Sequence, residues 1–252
     1  ASPLIASPHA FPTRLGGASG GALASQNLGL GRGDSPSALA ENYARLGRAV
    51  GFDPARCVLT RQVHGDVIRR VTAADPAGLD APRPDCDALI TDVPDTALVI
   101  FTADCIPVLL YDPDTGAVGA AHCGWRGTAL GLAEKAVRAM AAAFGSRPES
   151  LRCAIGPGIG LCCFETDGDV PAAMRDALGA DAEPHMERRG AKFHVDLAGL
   201  NRQWLLRAGL APEHIEVSGV CTACRPDLFW SHRKMGDQRG VQAAVIALKE
   251  CL

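Results

Sequence analysis

Three side chains in this sequence are of types that bind transition metals: the thiol of Cys105 and the imidazoles of His64 and His122. Two imidazoles and a thiolate form a ligand set that Zn²⁺ accepts readily, and three protein ligands leave its fourth tetrahedral position open to water or substrate. A metal-free alternative makes Cys105 a nucleophile with His122 as its base. A purely structural alternative makes Cys105 a small core side chain and His122 a hydrogen-bonded core histidine.

A β-hairpin is predicted in the middle of the chain, and it carries two of these residues. The strongest strand signal covers residues 97–111, and a second strand runs from residue 117 to about His122, with turn residues at 112–116. Pro107 has no N–H to donate to a ladder, so it predicts a break or an edge position within the first strand.

The register of this hairpin decides whether thiol and imidazole meet. A loop at 113–116 places Cys105 opposite Gly124, two residues from His122. A two-residue loop at 113–114 pairs Cys105 directly with His122. Side chains alternate between the faces of a sheet with period two, so both registers put the two groups on one face.

His64 stands in the segment Arg-Gln-Val-His-Gly, residues 61–65, between short β-rich runs at 57–60 and 66–71. An imidazole at such a turn can serve as a third ligand if the fold brings it to the hairpin. Sequence distance alone does not show that it does.

The remaining strands and helices are interspersed without strict βαβ alternation, which favours an α+β sandwich over a doubly wound fold. Nothing marks an interdomain linker, so we expect a single domain over residues 1–252. Periodicity predicts helices at 35–50, 128–145, 170–178 and 197–208, and strands at 151–155, 215–220, 229–231 and 242–248.

Composition and charge argue against several classes of function. The 252 residues carry 25 Lys and Arg against 28 Asp and Glu, and this net charge of −3 speaks against a nucleic-acid-binding surface. No apolar run reaches the roughly 18 residues of a membrane-spanning helix. Residues 1–14 contain three prolines and no signal-peptide pattern, which predicts a cytoplasmic protein.

The ten cysteines are too few for a disulfide scaffold, and we interpret them as thiols. Cys221 and Cys224 have CxxC spacing, but a structural zinc ribbon needs a second pair, and the vicinal Cys162 and Cys163 lack that spacing. No strand-CxxC-helix context for redox chemistry is present either. We therefore expect neither a zinc ribbon nor a redox centre at these four cysteines.

Seven segments of the chain, in order, are 13–19 (TRLGGAS), 26–29 (QNLG), 62–65 (QVHG), 102–105 (TADC), 121–127 (AHCGWRG), 156–160 (GPGIG) and 229–233 (FWSHR). They resemble the YfiH-like family, also called the laccase-domain or multicopper polyphenol oxidoreductase family. The resemblance implies a mixed-sheet α/β/β/α sandwich. It also implies that His64, Cys105 and His122 bind a catalytic metal, usually zinc.

For function, the resemblance implies a purine nucleoside phosphorylase that takes adenosine, inosine or methylthioadenosine with phosphate, and in some members deaminates adenosine. A cysteine hydrolase or amidase acting on peptidoglycan precursors stays as an alternative. So does a copper-dependent polyphenol oxidase, although multicopper oxidases need many histidines, typically in HxH pairs, and this chain has seven histidines and no such pair. A non-enzymatic metal-binding module is the third possibility, and oligomeric state is left open.

Within that reading, Arg14 and the loop of residues 16–19, including Ser19, are expected to position phosphate or ribose, because guanidinium and glycine amides suit anions. Asn27 and Arg126 are further substrate-binding candidates. The sequence departs from the family at Tyr43, where an arginine is common, and at Phe164, where a tyrosine is usual. Both departures bear on substrate preference rather than on the metal ligands.

Overall fold

The computed structural model describes residues 1–248, which form six α-helices and thirteen β-strands joined by loops and short 3₁₀ turns. The helices are α1 (Pro36–Val50), α2 (Trp125–Ala129), α3 (Leu132–Phe144), α4 (Asp169–Leu178), α5 (Leu197–Arg207) and α6 (His232–Met235). The strands are β1 (His9–Ala10), β2 (Cys57–Leu59), β3 (Ile68–Val71), β4 (Ala88–Thr91), β5 (Thr96–Thr102), β6 (Ile106–Tyr111), β7 (Val118–Cys123), β8 (Arg152–Ile155), β9 (Glu165–Thr166), β10 (Met186–Arg189), β11 (Lys192–Val195), β12 (Ile215–Val217) and β13 (Gln242–Leu248).

Two sheets pack face to face with helices outside them. The six-stranded sheet has the order β12-β8-β6-β7-β4-β3, and the four-stranded sheet has the order β1-β13-β5-β2. Apolar residues such as Leu98, Ile100, Leu109 and Val118 fill the layer between the sheets. The mixed-sheet α+β class is thereby confirmed. A domain over 1–252 stays a prediction, since its last four residues lie outside the described part.

The outer layers complete the α/β/β/α sandwich. Tyr43 and Leu46 of α1 pack on the outer face of the four-stranded sheet. Helices α3, α4 and α5 cover the six-stranded sheet with residues such as Val137, Met174 and Leu200. A small ribbon of order β10-β11-β9 lies beside them.

Helix α1 shows how local sequence sets these boundaries. The hydroxyl of Ser35 caps its first turn by accepting the N–H of Ala38 at 3.1 Å, and Pro36 occupies the first turn, where its missing N–H costs nothing. Gly51 ends the helix in the left-handed conformation, at φ 92°. The predicted extent of 35–50 is confirmed.

The predicted strand over 97–111 contains the break that Pro107 indicated, but the two parts belong to different sheets, which was not predicted. The chain forms β5, leaves it after Thr102, and enters β6 in the other sheet at Ile106. The break precedes Pro107, which is itself part of β6. The carbonyl of Pro107 accepts the N–H of Gly156, so its missing N–H faces the segment just beyond β8 and interrupts no bond to β7.

The hairpin itself is confirmed, in the register with the 113–116 loop. Tyr111 pairs with Val118 and Pro107 pairs with His122 in an antiparallel β6–β7 ladder. Extending that register by two residues places Cys105 opposite Gly124, as predicted.

Other boundaries differ in instructive ways. The helix predicted at 128–145 is two helices, because Gly131 adopts the left-handed region at φ 72° and separates α2 from α3. The strand at 215–220 ends at Val217. Residues 229–231 are not a strand, since Trp230 donates its N–H to the side chain of Gln242 and Ser231 donates to Asp104. The hairpin β10–β11 was not predicted. No helix in residues 1–248 is long and apolar enough to cross a membrane.

Candidate metal centre

One edge of the six-stranded sheet gathers the three side chains that the sequence singled out. Strands β3, β4 and β6 begin at this edge and β7 ends there, because β7 is antiparallel to both its neighbours and β3 is parallel to β4. His64 lies in the connection before β3, Cys105 directly precedes β6, and His122 is near the end of β7. Their ligand atoms all lie within 4.8 Å of one another.

The three groups face a common point. The sulfur of Cys105 lies 3.9 Å from Nε2 of His64, and the rings of His64 and His122 meet edge to face with centroids 4.9 Å apart. His122 is buried, whereas His64 is exposed. This donor set fits Zn²⁺, which takes thiolate and imidazole ligands at ~2.0–2.3 Å, so small side-chain movements would complete the coordination.

Asp87, the residue immediately before β4, orients two of the three ligands. Its fully buried carboxylate accepts the Nδ1–H of His122 at 2.9 Å and the backbone N–H groups of Val63 (3.2 Å), His64 (3.0 Å) and Gly65 (2.8 Å). With its proton on Nδ1, His122 keeps the Nε2 lone pair for a metal.

The charge of Asp87 is stabilised despite its burial. Burial alone would raise the pKa of this carboxyl, but the hydrogen bonds from His122 and from the backbone of Gly65 and Val63 outweigh it and hold the pKa below its ordinary value. Asp87 is therefore a carboxylate at neutral pH, and it completes a carboxylate–histidine pair of the kind that supports metal ligands.

The turn that carries His64 is held in an uncommon conformation. His64 has φ 59°, in the left-handed region that non-glycine residues seldom occupy, and its bonds to Asp87 stabilise it there. The side-chain amide of Gln62 exchanges two hydrogen bonds with the backbone of Phe101, at 2.6 and 2.8 Å, at the end of β5. These contacts bring the turn to the site across a gap of about 40 residues that the sequence alone could not close.

Cys105 is positioned by its neighbour Asp104, which has φ 92° at the point where the chain crosses between sheets. The Asp104 carboxylate accepts the hydroxyls of Thr222 (2.6 Å) and Ser231 (3.0 Å) and the N–H of Arg233 (2.7 Å). All three donors come from more than 100 residues further along the chain. They explain why the predicted long strand breaks here.

Gly124 leaves the space that the site needs. A Cβ at this position would lie 3.0 Å from a ring carbon of His64 and 3.2 Å from the sulfur of Cys105. These contacts are tighter than ordinary van der Waals packing, so a side chain at this position would require His64 or Cys105 to shift by a few tenths of an ångström.

The electrostatics of the site favour a thiolate. Burial alone would raise the pKa of the Cys105 thiol, but attraction to His122 and hydrogen bonds with His122 and His64 outweigh it and lower the pKa to about 6. Burial alone would lower the pKa of His122, whereas its interactions with Cys105 and Asp87 raise it. A thiolate is both the metal-binding and the nucleophilic form of cysteine.

A cavity of about 140 Å³ opens beside Cys105. Its walls include the aromatic rings of Trp125 and Phe164, and the side chain of Arg233 lines it as well. The Arg233 guanidinium donates to the carbonyl oxygens of Cys163 (2.9 Å) and of Glu165 in β9 (3.0 Å), so it fixes the cavity wall. Aromatic walls of this kind favour contacts with a flat aromatic ligand.

The predicted substrate-binding residues Arg14, Ser19 and Asn27 lie in a separate polar network and do not line this cavity. The Arg14 guanidinium lies 3.7 Å from the centroid of the Trp230 ring and donates to two backbone carbonyls. Ser19 and Asn27 both donate to Asp34, at 2.6 and 2.9 Å. These contacts hold the glycine-rich loop, and the substrate-binding role of the three residues stays a prediction.

Arg126 lies closer to the site, in helix α2. It is exposed, and its guanidinium lies 4.3 Å from the centroid of the Trp125 ring, which lines the cavity. Among residues 1–248 it forms no ion pair within 4 Å. Its role in binding substrate likewise stays a prediction.

The four remaining cysteines of interest also cluster. The sulfurs of Cys162, Cys163, Cys221 and Cys224 all lie within 4.8 Å of one another. We expected the vicinal pair not to supply the second pair of ligands for the CxxC pair, and this expectation is wrong, because the fold brings all four sulfurs together. The parallel strands β8 and β12 end side by side, so the loops that follow them meet.

Sequence reasoning missed Asp87 as an orienting group and Trp125 as a cavity wall, and it noted Phe164 only as a departure from the family pattern that bears on substrate preference. Asp87 left a usable signal, since a carboxylate directly before the apolar strand β4 is expensive to bury unless it has partners. That the two aromatic side chains share one cavity left no local signal, because the chain brings them together from helix α2 and a loop some 40 residues later.

The sandwich and its histidine–cysteine–histidine cluster define an α+β protein with a potential metal centre at one edge of its larger sheet. More specifically, the chain belongs to the multi-copper polyphenol oxidoreductase laccase family, which residues 8–249 match. The resemblance stated from the seven segments is thereby confirmed.

Comparisons with known proteins cover nearly the whole chain. A protein of Deinococcus radiodurans named purine nucleoside phosphorylase is 43% identical over 98% of this chain and 91% of its own length. The crystal structure of YlmD from Geobacillus stearothermophilus superposes with a TM-score of 0.93 at 35% identity, over 99% of this chain and 94% of that one. That of Bacillus licheniformis YfiH gives 0.91 at 34% identity, over 96% and 92%. By this homology the protein is an enzyme.

Proposed function

We propose that this protein is a zinc-dependent purine nucleoside phosphorylase that uses adenosine, inosine or methylthioadenosine with phosphate, and that it also deaminates adenosine. The observation that carries the proposal is the convergence of His64, Cys105 and His122 beside a cavity with aromatic walls. Relatives named purine nucleoside phosphorylase over nearly the whole chain support the choice of substrate class.

His64, Cys105 and His122 would hold the metal, with Asp87 fixing the proton of His122 on Nδ1. A zinc ion with an open position supplies Lewis acidity and lowers the pKa of bound water. Copper is the alternative metal by ligand type. Multicopper oxidation is disfavoured because it needs many histidine ligands. Among residues 1–248, only one of the potential metal-binding clusters contains histidines, and that cluster contains two of them.

The residues of the chain bind and orient the reactants. Trp125 and Phe164 line the cavity and would stack on the purine, a contact that every base permits. Arg126, exposed at the rim of that wall, would bind phosphate through its guanidinium. Arg14 and Ser19 are proposed to act with the glycine-rich loop on phosphate or ribose, and Asn27 to shape that loop.

The two proposed reactions differ in the bond that breaks. In phosphorolysis, a phosphate oxygen bonds to C1′ of the ribose while the bond from C1′ to the purine nitrogen breaks, and the base leaves with one proton. In deamination, a water oxygen bonds to C6 of the adenine and ammonia leaves. Exclusion of bulk water by the aromatic walls would favour phosphorolysis over simple hydrolysis.

The test is incubation of the zinc-loaded protein with adenosine and phosphate. We expect adenine and ribose 1-phosphate, with inosine as the second product. Cys105→Ala should abolish both reactions, while Cys57→Ala, which removes a buried cysteine outside both clusters, should leave them intact. Formation of none of these products by the zinc-loaded protein would refute the proposed function.

A cysteine hydrolase or amidase is the second candidate, and one observation favours it: Cys105 has an imidazole at 3.9 Å and a pKa lowered to about 6 by the two histidines, outweighing its burial. Peptidoglycan precursors are the substrate to test. Cleavage of such a precursor that persists in excess chelator would select this candidate, because it requires no metal.

A further inference from the structure

We propose that Cys162, Cys163, Cys221 and Cys224 bind a second zinc ion as a closed tetrathiolate site with a structural role. This goes beyond the function proposed above and does not depend on it. Four cysteine ligands fill all the positions of tetrahedral Zn²⁺, so such a site holds structure and leaves no place for substrate.

The spacing of the sulfurs supports metal binding. Cys224 lies 3.5 Å from Cys162 and 3.4 Å from Cys163, sulfur to sulfur, and all four sulfurs lie within 4.8 Å. Zn–S bonds of ~2.3 Å in a tetrahedron place sulfurs about 3.8 Å apart. The two separations from Cys224 lie slightly below this value, and all the others stay within 4.8 Å.

The backbone supports a thiolate at Cys221, one of the four cysteines. The N–H of Gly160 donates to the sulfur of Cys221 at 3.2 Å. A Cβ at Gly160 would lie 3.2 Å from Cβ of Cys221 and 3.4 Å from the sulfur of Cys162, so glycine is what allows the two loops to approach. An N–H donor on a sulfur favours its charged form, the form that binds metal.

The site would tie together two loops that are far apart in sequence. The loops also meet through a bridge between Gly158 and Cys221, and the N–H of Thr222 donates to the Gly158 carbonyl at 2.9 Å. A cross-link over such a long segment removes conformational entropy from the unfolded chain. The binding energy of the ion then adds to the free energy of folding.

These loops also support the first centre. Thr222, next to Cys221, donates to Asp104, and Arg233 donates both from its N–H to Asp104 and from its side chain to the carbonyl of Cys163. Asp104 in turn fixes the backbone at Cys105. The four-cysteine site would therefore hold the segment against which the catalytic cysteine is positioned.

Binding is a proton exchange and needs no oxidant. Zn²⁺ displaces up to four thiol protons and leaves a complex of net charge −2. Cys162 and Cys224 are exposed, so the ion has a path into the cluster. Oxidation to disulfides would consume the same thiols and is an outcome that the experiment separates.

The experiment measures metal in the Cys105→Ala variant, which lacks a ligand of the first centre. We expect about one zinc ion per chain to remain, and cobalt substitution to give the intense thiolate-to-cobalt bands of a tetrathiolate. Adding Cys221→Ser and Cys224→Ser should remove both metal and bands. Adding Cys57→Ala instead is the matched control and should change neither.

A measurement on Cys105→Ala alone covers the case in which the multiple variant fails to fold. Titration with a mercurial, followed by a metallochromic indicator, should release the zinc only as about four thiols react. Absence of metal from Cys105→Ala protein, purified under reducing conditions and offered excess zinc, would overturn the proposal. Recovery of the four cysteines as two disulfides, with no metal under the same conditions, would overturn it as well.

Discussion

Asp87→Asn is the most informative single change, because it alters one buried group that supports two ligands. One oxygen of the wild-type carboxylate accepts the backbone N–H of His64 and the Nδ1–H of His122, and the other accepts the N–H groups of Val63 and Gly65. Asparagine replaces one oxygen by an N–H₂ group, which cannot accept. Whichever way the amide turns, two donors lose their acceptor.

The less costly orientation keeps the amide oxygen on Val63 and Gly65. The N–H₂ group then faces Nδ1 of His122, which can accept only if its proton moves to Nε2, and that tautomer blocks the metal-binding nitrogen. The N–H of His64 is left unpaired, at a cost of about 1–3 kcal/mol. In a chain of this size that corresponds to a loss of about 2–12 °C in Tm.

We therefore expect zinc affinity at the first centre to fall about 10- to 100-fold, which is the usual effect of losing a hydrogen-bond partner of a metal ligand. Competition with a chelator measures this affinity. The zinc that the Cys105→Ala variant still binds is subtracted, because that variant lacks a ligand of the first centre. Asp85→Asn is the matched control, since Asp85 is exposed and pairs with Arg61 at the surface. Unchanged zinc affinity in Asp87→Asn, or an equal loss in Asp85→Asn, would refute the tautomer argument.

Three further changes test other parts of the structure. Gly124→Ala should displace the ring of His64 and lower zinc content, measured by metal analysis, whereas Gly20→Ala, where an added Cβ meets no atom within 4 Å, should not. Asp196→Ala removes the N-cap of α5 and should cost about 1 kcal/mol at pH 7. Burial alone would raise the pKa of the Asp196 carboxyl, but its hydrogen bonds outweigh burial and lower the pKa. The stabilisation of the fold by Asp196 is therefore complete above the ordinary pKa and is lost as pH falls through the lowered pKa. Thermal melts of the variant and the wild type should converge in acid. Phe164→Leu removes a stacking surface worth about 1 kcal/mol, which should raise KM for nucleosides about fivefold without changing zinc content.

The sequence predicted those parts of the fold that depend on neighbours along the chain. Helix α1 begins at a serine cap and ends at a glycine, and both signals are local. The β6–β7 hairpin followed from its turn residues, and both of the registers that they allowed placed Cys105 on the same face as His122. Local chemistry was enough in both cases.

Features set by distant partners were not predictable in this way. The strand break at Asp104 depends on donors at Thr222, Ser231 and Arg233, none of which leaves a local signal at the break. The four-cysteine cluster was misread for a related reason. The spacing rule looks for two CxxC pairs along the chain, whereas here the pairing of two parallel strands brings a vicinal pair to a CxxC pair.

The topology explains why both clusters lie at one edge of the six-stranded sheet. β6 begins and β7, β8 and β12 end at this edge, so each loop that carries a ligand emerges there. The ladder holds His122 directly, since its N–H donates to the backbone carbonyl of Asp87 at 2.7 Å and β4 pairs with β7 immediately beyond. His64 has no ladder and depends on the side chains of Asp87 and Gln62. His64 is therefore the ligand of the first centre that the sheet holds least directly. Mutations in its turn should lower metal affinity before they lower the stability of the sandwich.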